Sequence, residues 1–262
     1  MCNCNRQPTA KNISSISQAA LKVINGVEVD YKKYPYFGVL WIDRSPGCGA
    51  SLIRRGTRNI VITAAHCVYQ KRASRLQVGF YQPTLTTKKY IYNITKVIIH
   101  PNYNNNTSEN DIALLYISAT PPAVVVPLLI PSKSVGLTFI VPGTKTKVIG
   151  YGLTDPNNNV PSNKLLLGDV PIVSKNSSAN NQYEPSLITN GMILASKFFP
   201  DSSQNVDSCS GDSGGPLLYV YNGVTYLVGL VSWGNGCAVS GYPGVYTDVN
   251  YYREWINKNA GV

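Results

Sequence analysis

Ser213 sits in the run DSCSGDSGGP, residues 207–216, with Asp212 directly before it and Asp207 six residues earlier. A serine hydroxyl is a weak nucleophile at neutral pH, so it attacks a carbonyl only when a base within hydrogen-bond reach takes its proton. Gly211, Gly214 and Gly215 tolerate backbone conformations that other residues resist, so the turn can hold the hydroxyl outward with its own N–H groups facing the same way. The same composition also serves inert tight turns, and the base must be sought elsewhere. Two histidines are available. His66, in VITAAHC, follows an apolar run and precedes Cys67, whose disulfide would pin the backbone carrying the imidazole. His100, in IIHPNY, lies beside a proline at a strand end. We take His66 as the base and His100 as structural.

Chain order narrows the architecture. The GDSGG run also satisfies the G-x-S-x-G elbow of α/β hydrolases, but that arrangement needs a histidine after the serine, and both histidines precede it. A subtilisin-like order would need an early acid such as Asp30 or Asp43 and alternating strands and helices, which the chain lacks. What survives is histidine, acid, serine. Asp111, in NDIALLYI, stands where an apolar strand begins and a carboxylate can be held out of water; a strand-entry turn residue is an equally good local reading. Asp155, Asp169 and Asp201 lie in less suggestive settings.

The elements that must position these groups are mostly strands. The runs YFGVLWI, NIVITAA, IYNITKVII, DIALLYI, TKVIGYG, LVGLVSW and GVYTDV are rich in Val, Ile and Tyr and are separated by Gly, Pro and Asn. Only TDVNYYREWINK has helical spacing, with Val249, Tyr252 and Ile256 on one face and Thr247 or Asp248 as a cap, so one C-terminal helix is predicted. The asparagine clusters 104–106 and 157–159 read as exposed loops. A chain of 262 residues that is 44% hydrophobic has ample material for a core. Its net charge of +10 is scattered, the densest group running from Arg54 to Arg75, which argues for a solvated face rather than nucleic-acid binding. No apolar run approaches a membrane span, and the opening residues lack the apolar core of a signal peptide.

Taken together, VINGVEV, CGASLI, VITAAHC, NDIALL, GYG, DSCSGDSGGPL, SWGNGC and PGVYTDV resemble the trypsin-like members of the chymotrypsin family of serine proteases, from Val23 to the C-terminal helix. The resemblance implies an all-β fold of two packed antiparallel six-stranded barrels, about 36–130 and 140–247, followed by a helix at about 248–259 and preceded by a propeptide, 1–22. It implies a serine endopeptidase that cuts after Arg or Lys, acts on protein or peptide substrates, is met by protein inhibitors, works as a monomer, and needs no cofactor, metal, nucleic acid or membrane. Its logic assigns Ser213 as nucleophile, His66 as proton carrier and Asp111 as the group that orients the imidazole. Ser232 hydrogen-bonds that aspartate, and the N–H groups of Gly211 and Ser213 form the oxyanion hole.

By the same resemblance Asp207 is the floor of the pocket for the residue before the cut, with Ser208 beside it and the segments Ser232 to Gly234, through Trp233, and Pro243 to Tyr246, through Gly244, as walls. A carboxylate in a dry slot selects a substrate that brings a cation. Cleavage after Lys22 would free the amino group of Val23 to pair with Asp212, converting a zymogen to active enzyme; Lys22 is itself a residue Asp207 would select, which makes self-activation an expectation. The six cysteines allow fifteen pairings; the family pattern selects Cys48 with Cys67 and Cys209 with Cys237, places Ser178 and Leu194 where a third bridge would be, and leaves Cys2 and Cys4 free or intermolecular. Paired cysteines imply an extracellular or otherwise oxidising compartment. The segment LQVGFYQPTLTTKKY lacks acids for calcium, while Ser210 and Tyr151 depart from the usual family residues. The sequons at Asn12, Asn93, Asn105, Asn106 and Asn176 are expected by chance in so asparagine-rich a chain.

Overall fold

The computed structural model describes residues 23–155, 158–177 and 180–262. A two-residue strand, β1 (Val27–Glu28), leads into β2 (Phe37–Ile42), β3 (Ser45–Arg54), β4 (Ile60–Thr63), β5 (Leu76–Phe80), β6 (Ile91–Ile99) and β7 (Ala113–Ile117). Strands β2 to β7 close into a barrel in the order β2-β3-β4-β7-β6-β5, every pair antiparallel. Closure leaves this half without a free edge. Its interior is filled by Leu40, Leu52, Val61, Val78, Phe80 and Leu115, the inward members of the alternating runs.

The second half comprises β8 (Thr146–Gly150), β11 (Leu166–Asp169), β12 (Ile172–Val173), β13 (Met192–Ala195), β14 (Pro216–Tyr221), β15 (Val224–Trp233) and β16 (Gly244–Asp248), with β9 (Leu153–Asp155) and β10 (Asn158–Pro161) forming a separate hairpin. The fold is the two-unit, mostly-strand architecture expected, with one difference of detail. Rather than six strands closed into a ring, this half is a curled eight-stranded sheet, β1-β11-β8-β14-β15-β16-β13-β12. Strands β11 and β12, which lie toward its opposite ends, are pieces of one segment interrupted at Val170–Pro171, where proline cannot donate to a ladder. They pair with β8 and β13 respectively, which bends the sheet back on itself.

Helices are short. Beyond the predicted one there are two more, α1 (Ala65–Val68) and α2 (Lys133–Phe139). The C-terminal helix, α3 (Arg253–Ala260), begins five residues later than the sequence pattern suggested. Asp248 is the cause: its Oδ1 accepts from the N–H groups of Asn250 and Tyr251 at 2.8 and 3.1 Å, closing a turn that delays the helix instead of capping it. The helix nevertheless buries the face predicted, through Tyr252 and Ile256. Part of the second asparagine cluster, from Asn158, lies in β10 rather than in a loop; Asn157 is outside the described residues, as are Asn12, Ser178, Cys2 and Cys4.

Candidate active site

The turn that carries Ser213 is clamped between the two halves. From the first barrel, Gly49 donates its N–H to the Ser213 carbonyl at 2.7 Å; from the second, Val231 accepts from the Gly214 N–H at 2.8 Å. Gly211 and Gly214 have φ of +99° and +74°, in the left-handed region, as the sequence suggested. Gly215 does not. Its lack of a side chain serves packing, since a Cβ there would lie 2.7 Å from the Asp212 carbonyl oxygen. At Gly214 a Cβ would meet Thr63 Oγ1 at 2.1 Å and the backbone N of Ala64 at 3.1 Å, so the serine turn lies against the end of β4 that leads to His66. The N–H groups of Gly211 and Ser213 have no acceptor among the described residues.

His66 lies in α1, immediately after β4, and is tied to Asp111 twice. Its backbone N–H donates to Asp111 Oδ1 at 2.8 Å, and its ring Nδ1 lies 2.7 Å from Oδ2. The Asp111 carboxylate is fully shielded from solvent and takes a third donor, Ser232 Oγ, at 2.6 Å. With Nδ1–H donated to the carboxylate, the basic lone pair sits on Nε2. The structure brings the imidazole, Asp111 and Ser232 together as the sequence suggested, but no hydrogen bond closes between Ser213 and Nε2. Nε2 lies 3.6 Å from Cys67 Sγ. That sulfur is bonded to Cys48, so Cys48, His66 and Cys67 offer no thiolate to a metal.

Other acids and the second histidine have separate roles. Asp169 pairs with Lys147, and Asp201 holds the N–H of Ser203 in a short turn. His100 accepts from the Asn102 N–H and packs against the rings of Tyr252 and Trp255 at 5.3 and 5.2 Å, a structural setting. Burial lowers its pKa.

Asp207 is buried, 1% exposed, beneath Gly244, where a Cβ would lie 2.6 Å from its Oδ1. Its oxygens accept from the N–H groups of Ser208 at 2.8 Å and Ala238 at 3.0 Å. No lysine, arginine or histidine among the described residues lies within 4.0 Å. Burial therefore dominates and raises its pKa to about 7, the backbone donors lowering it only in part. The Cys209–Cys237 disulfide braces this region, and Trp233 packs edge-on against Tyr183 at 5.0 Å.

Sequence reasoning missed several groups here. The Tyr183 hydroxyl donates to the Pro243 carbonyl and accepts from Asn235, tying together the walls on either side of Gly234. Tyr246, fully buried, donates to Ser208 Oγ at 3.1 Å. Thr247 Oγ1 donates to the Asp111 carbonyl at 2.7 Å. The family resemblance already put Tyr246 in a pocket wall, though not its bond to Ser208; Thr247 lay in the PGVYTDV run, and Tyr183, in a polar loop, gave no local signal.

Asp212 is completely buried, accepting from the Gly152 N–H at 2.8 Å and the Cys209 N–H at 3.0 Å. A Cβ at Gly150 or Gly152 would stand 2.0 or 2.3 Å from its oxygens, which explains both glycines of the GYG run. Burial raises its pKa to about 6. Val23 is also fully buried, and its neighbour Ile24 bridges to Asp207. Lys22 is outside the described residues.

The histidine paired with a buried carboxylate, the glycine-bracketed serine and the junction of a closed barrel with a curled sheet define a serine hydrolase of the two-barrel class. The sequence model of the trypsin family, described as Trypsin, matches residues 23–256. Trypsin-1 of Astacus astacus is 38% identical over 221 residues, covering 81% of this chain and 87% of that protein. Trypsin delta of Drosophila melanogaster is 35% identical over 91% of this chain and 88% of its own length. Vitamin K-dependent protein C of Mus musculus is 30% identical, matching 92% of this chain with 52% of itself. The chain belongs to the trypsin family and is a serine endopeptidase. The two disulfides among the described residues suit an oxidising compartment.

Proposed function

We propose that this endopeptidase cuts after Arg or Lys and is made as a zymogen activated by cleavage after Lys22. The observation that carries the specificity is the buried Asp207 carboxylate with two backbone donors and, among the described residues, no cation beside it. An arginine reaching it supplies the missing charge and two parallel donors; a lysine supplies the charge and N–H donors without the planar fork, and is one that water or Ser208 would help to bridge.

In the proposed reaction, Ser213 Oγ attacks the peptide carbonyl carbon while His66 Nε2 takes its proton. The oxyanion that forms faces the unpaired N–H groups of Gly211 and Ser213. Asp111, itself held by the Ser232 hydroxyl, fixes the imidazole as the Nδ1–H tautomer with Nε2 free to take the proton. His66 then passes the proton to the departing amine, leaving an ester on Ser213, and a water deprotonated by the same imidazole releases the acid. For activation, the support is that Asp212 is buried with no side-chain cation among the described residues, while Val23 lies buried in the same half of the molecule. An ammonium freed at Val23 would complete that charge and draw the serine turn into register with His66.

The test is a panel of short peptides differing only in the residue before the cut, given to chain processed at Lys22 and to uncut chain. Arg and Lys peptides are cleaved by the processed form alone; equal cleavage of Gln or Leu peptides refutes the specificity. Labelling of Ser213 by a phosphonate separates this reading from that of a protease-like binding protein, which would not react. Parallel incubation of a Ser213→Ala chain tests self-activation, since equal processing in both forms excludes it.

A further inference from the structure

A cavity of about 1010 Å³ opens between α2, the strands β12 and β13, and the turn that leads from β16 into α3. Neither His66, Ser213 nor Asp207 lines it. Ile172, Met192 and Leu194 give it apolar surface, and His100, Tyr252 and Trp255 give it aromatic surface. A carboxylate, Asp248, lies among them. Gly244, over Asp207, begins β16 and Asp248 ends it, about 13 Å farther along the strand.

Asp248 is 5% exposed, and the two backbone donors that reach it, Asn250 and Tyr251, both end on Oδ1. Among the described residues its other oxygen, Oδ2, has no donor and no cation within 4.0 Å. Oδ2 is not sealed from solvent, so it faces the cavity. Burial raises the Asp248 pKa to about 6, although the N–H groups of Tyr251 and Asn250 and the charge of Lys175 lower it. The other charged groups around the cavity are engaged or neutral. Lys175 Nζ donates to the Thr189 carbonyl at 2.9 Å, Lys133 pairs with Glu254, and burial lowers the pKa of His100.

We propose that this cavity is a cation site separate from the Asp207 slot, taking a primary ammonium on an apolar stem, whether of a free amine or of a lysine side chain. A buried carboxylate open to a cavity is completed by a ligand that brings the opposite charge. With Oδ1 already holding two N–H groups, a single oxygen remains. That suits a compact ammonium better than a guanidinium, whose fork needs two acceptors. The rings of Tyr252 and Trp255 attract the same charge, and Ile172, Met192 and Leu194 cover the stem.

The test uses full-length chain carrying Ser213→Ala and Asp207→Asn, which neither digests itself nor offers a carboxylate in the slot. Calorimetric titration compares n-hexylamine with 1-hexanol, its neutral counterpart. At about pH 8 the amine should bind about tenfold tighter or more, and that advantage should fall about tenfold near pH 5 as Asp248 takes up a proton. In Asp248→Asn the amide oxygen can keep both backbone donors, so the fold is retained while the ratio of amine to alcohol affinity should fall to about one. Lys175→Met removes a competing charge and should tighten the amine several-fold. Equal binding of amine and alcohol at about pH 8 overturns the proposal, as does an amine preference that survives in Asp248→Asn or weaker binding in Lys175→Met. Acetyl-Ala-Lys-Ala-amide binding more tightly than hexylamine assigns the ligand to a polypeptide, and the reverse order assigns it to a free amine; either order supports the site.

Discussion

Replacing Asp207 by asparagine separates the cost of burying a charge from its use. Burial raises the folded pKa from 3.8 to about 7, roughly three units, or on the order of 4 kcal/mol of penalty once the carboxyl ionises. Because the folded pKa lies above the unfolded one, the carboxyl's contribution is fully present below about pH 4 and is lost as pH rises through 7. Asparagine has no such dependence. It does carry a fixed cost, since the Ser208 and Ala238 N–H groups need two acceptor oxygens and an amide offers one, about 1–3 kcal/mol at every pH. The diagnostic quantity is therefore the pH dependence of the difference between the two proteins. Urea unfolding in a Ser213→Ala background, which prevents self-digestion, should show Asp207→Asn gaining on the parent by about 4 kcal/mol between pH 4 and pH 8. In the active background the same change should lower kcat/KM for arginine peptides at least about a thousandfold. A stability difference that stays flat to within about 1 kcal/mol would mean the carboxylate ionises freely in a wet slot, and selection by a desolvated charge would fall with it.

Ser232→Ala removes the 2.6 Å donor to Asp111 and should lower kcat about tenfold or more with little change in KM, read from steady-state kinetics. Gly214→Ala forces a Cβ against Thr63 Oγ1 and the Gly49 carbonyl at a positive φ; about 3 kcal/mol or more of stability should be lost by thermal unfolding, together with activity. Replacing Cys209 and Cys237 together by alanine opens a link spanning 28 residues and should cost about 3–4 kcal/mol, with selectivity for arginine over leucine peptides falling as the Asp207 slot loosens.

The sequence was most legible where a requirement is local. The run IYNITKVII coincides with β6, and GVYTDV contains β16, because alternation and β-branching act over neighbouring residues. Helix α2 escaped notice because its glycine and β-branched residues give no helical pattern; it stands where Gly136 can approach Asn250, with a Cβ there only 2.3 Å from the amide oxygen. Asp248 was misread as a helix cap because its choice between capping and closing a turn depends on the residues that bury it.

Asp111 illustrates the same division more sharply. Around Asp111 the local sequence supports a turn residue and a buried carboxylate equally. What separates them is three donors, two from His66, 45 positions earlier, and one from Ser232, 121 positions later. No window on the chain contains that information. Glycines, by contrast, transmit it. Gly150 and Gly152 lack side chains because Asp212, sixty residues beyond Gly152, fills the space, and Gly244 lacks one because Asp207 does. A buried carboxylate thus leaves its mark on the sequence mainly through the residues that must make room for it, so a glycine in an otherwise strand-forming run identifies where a distant functional group will be packed.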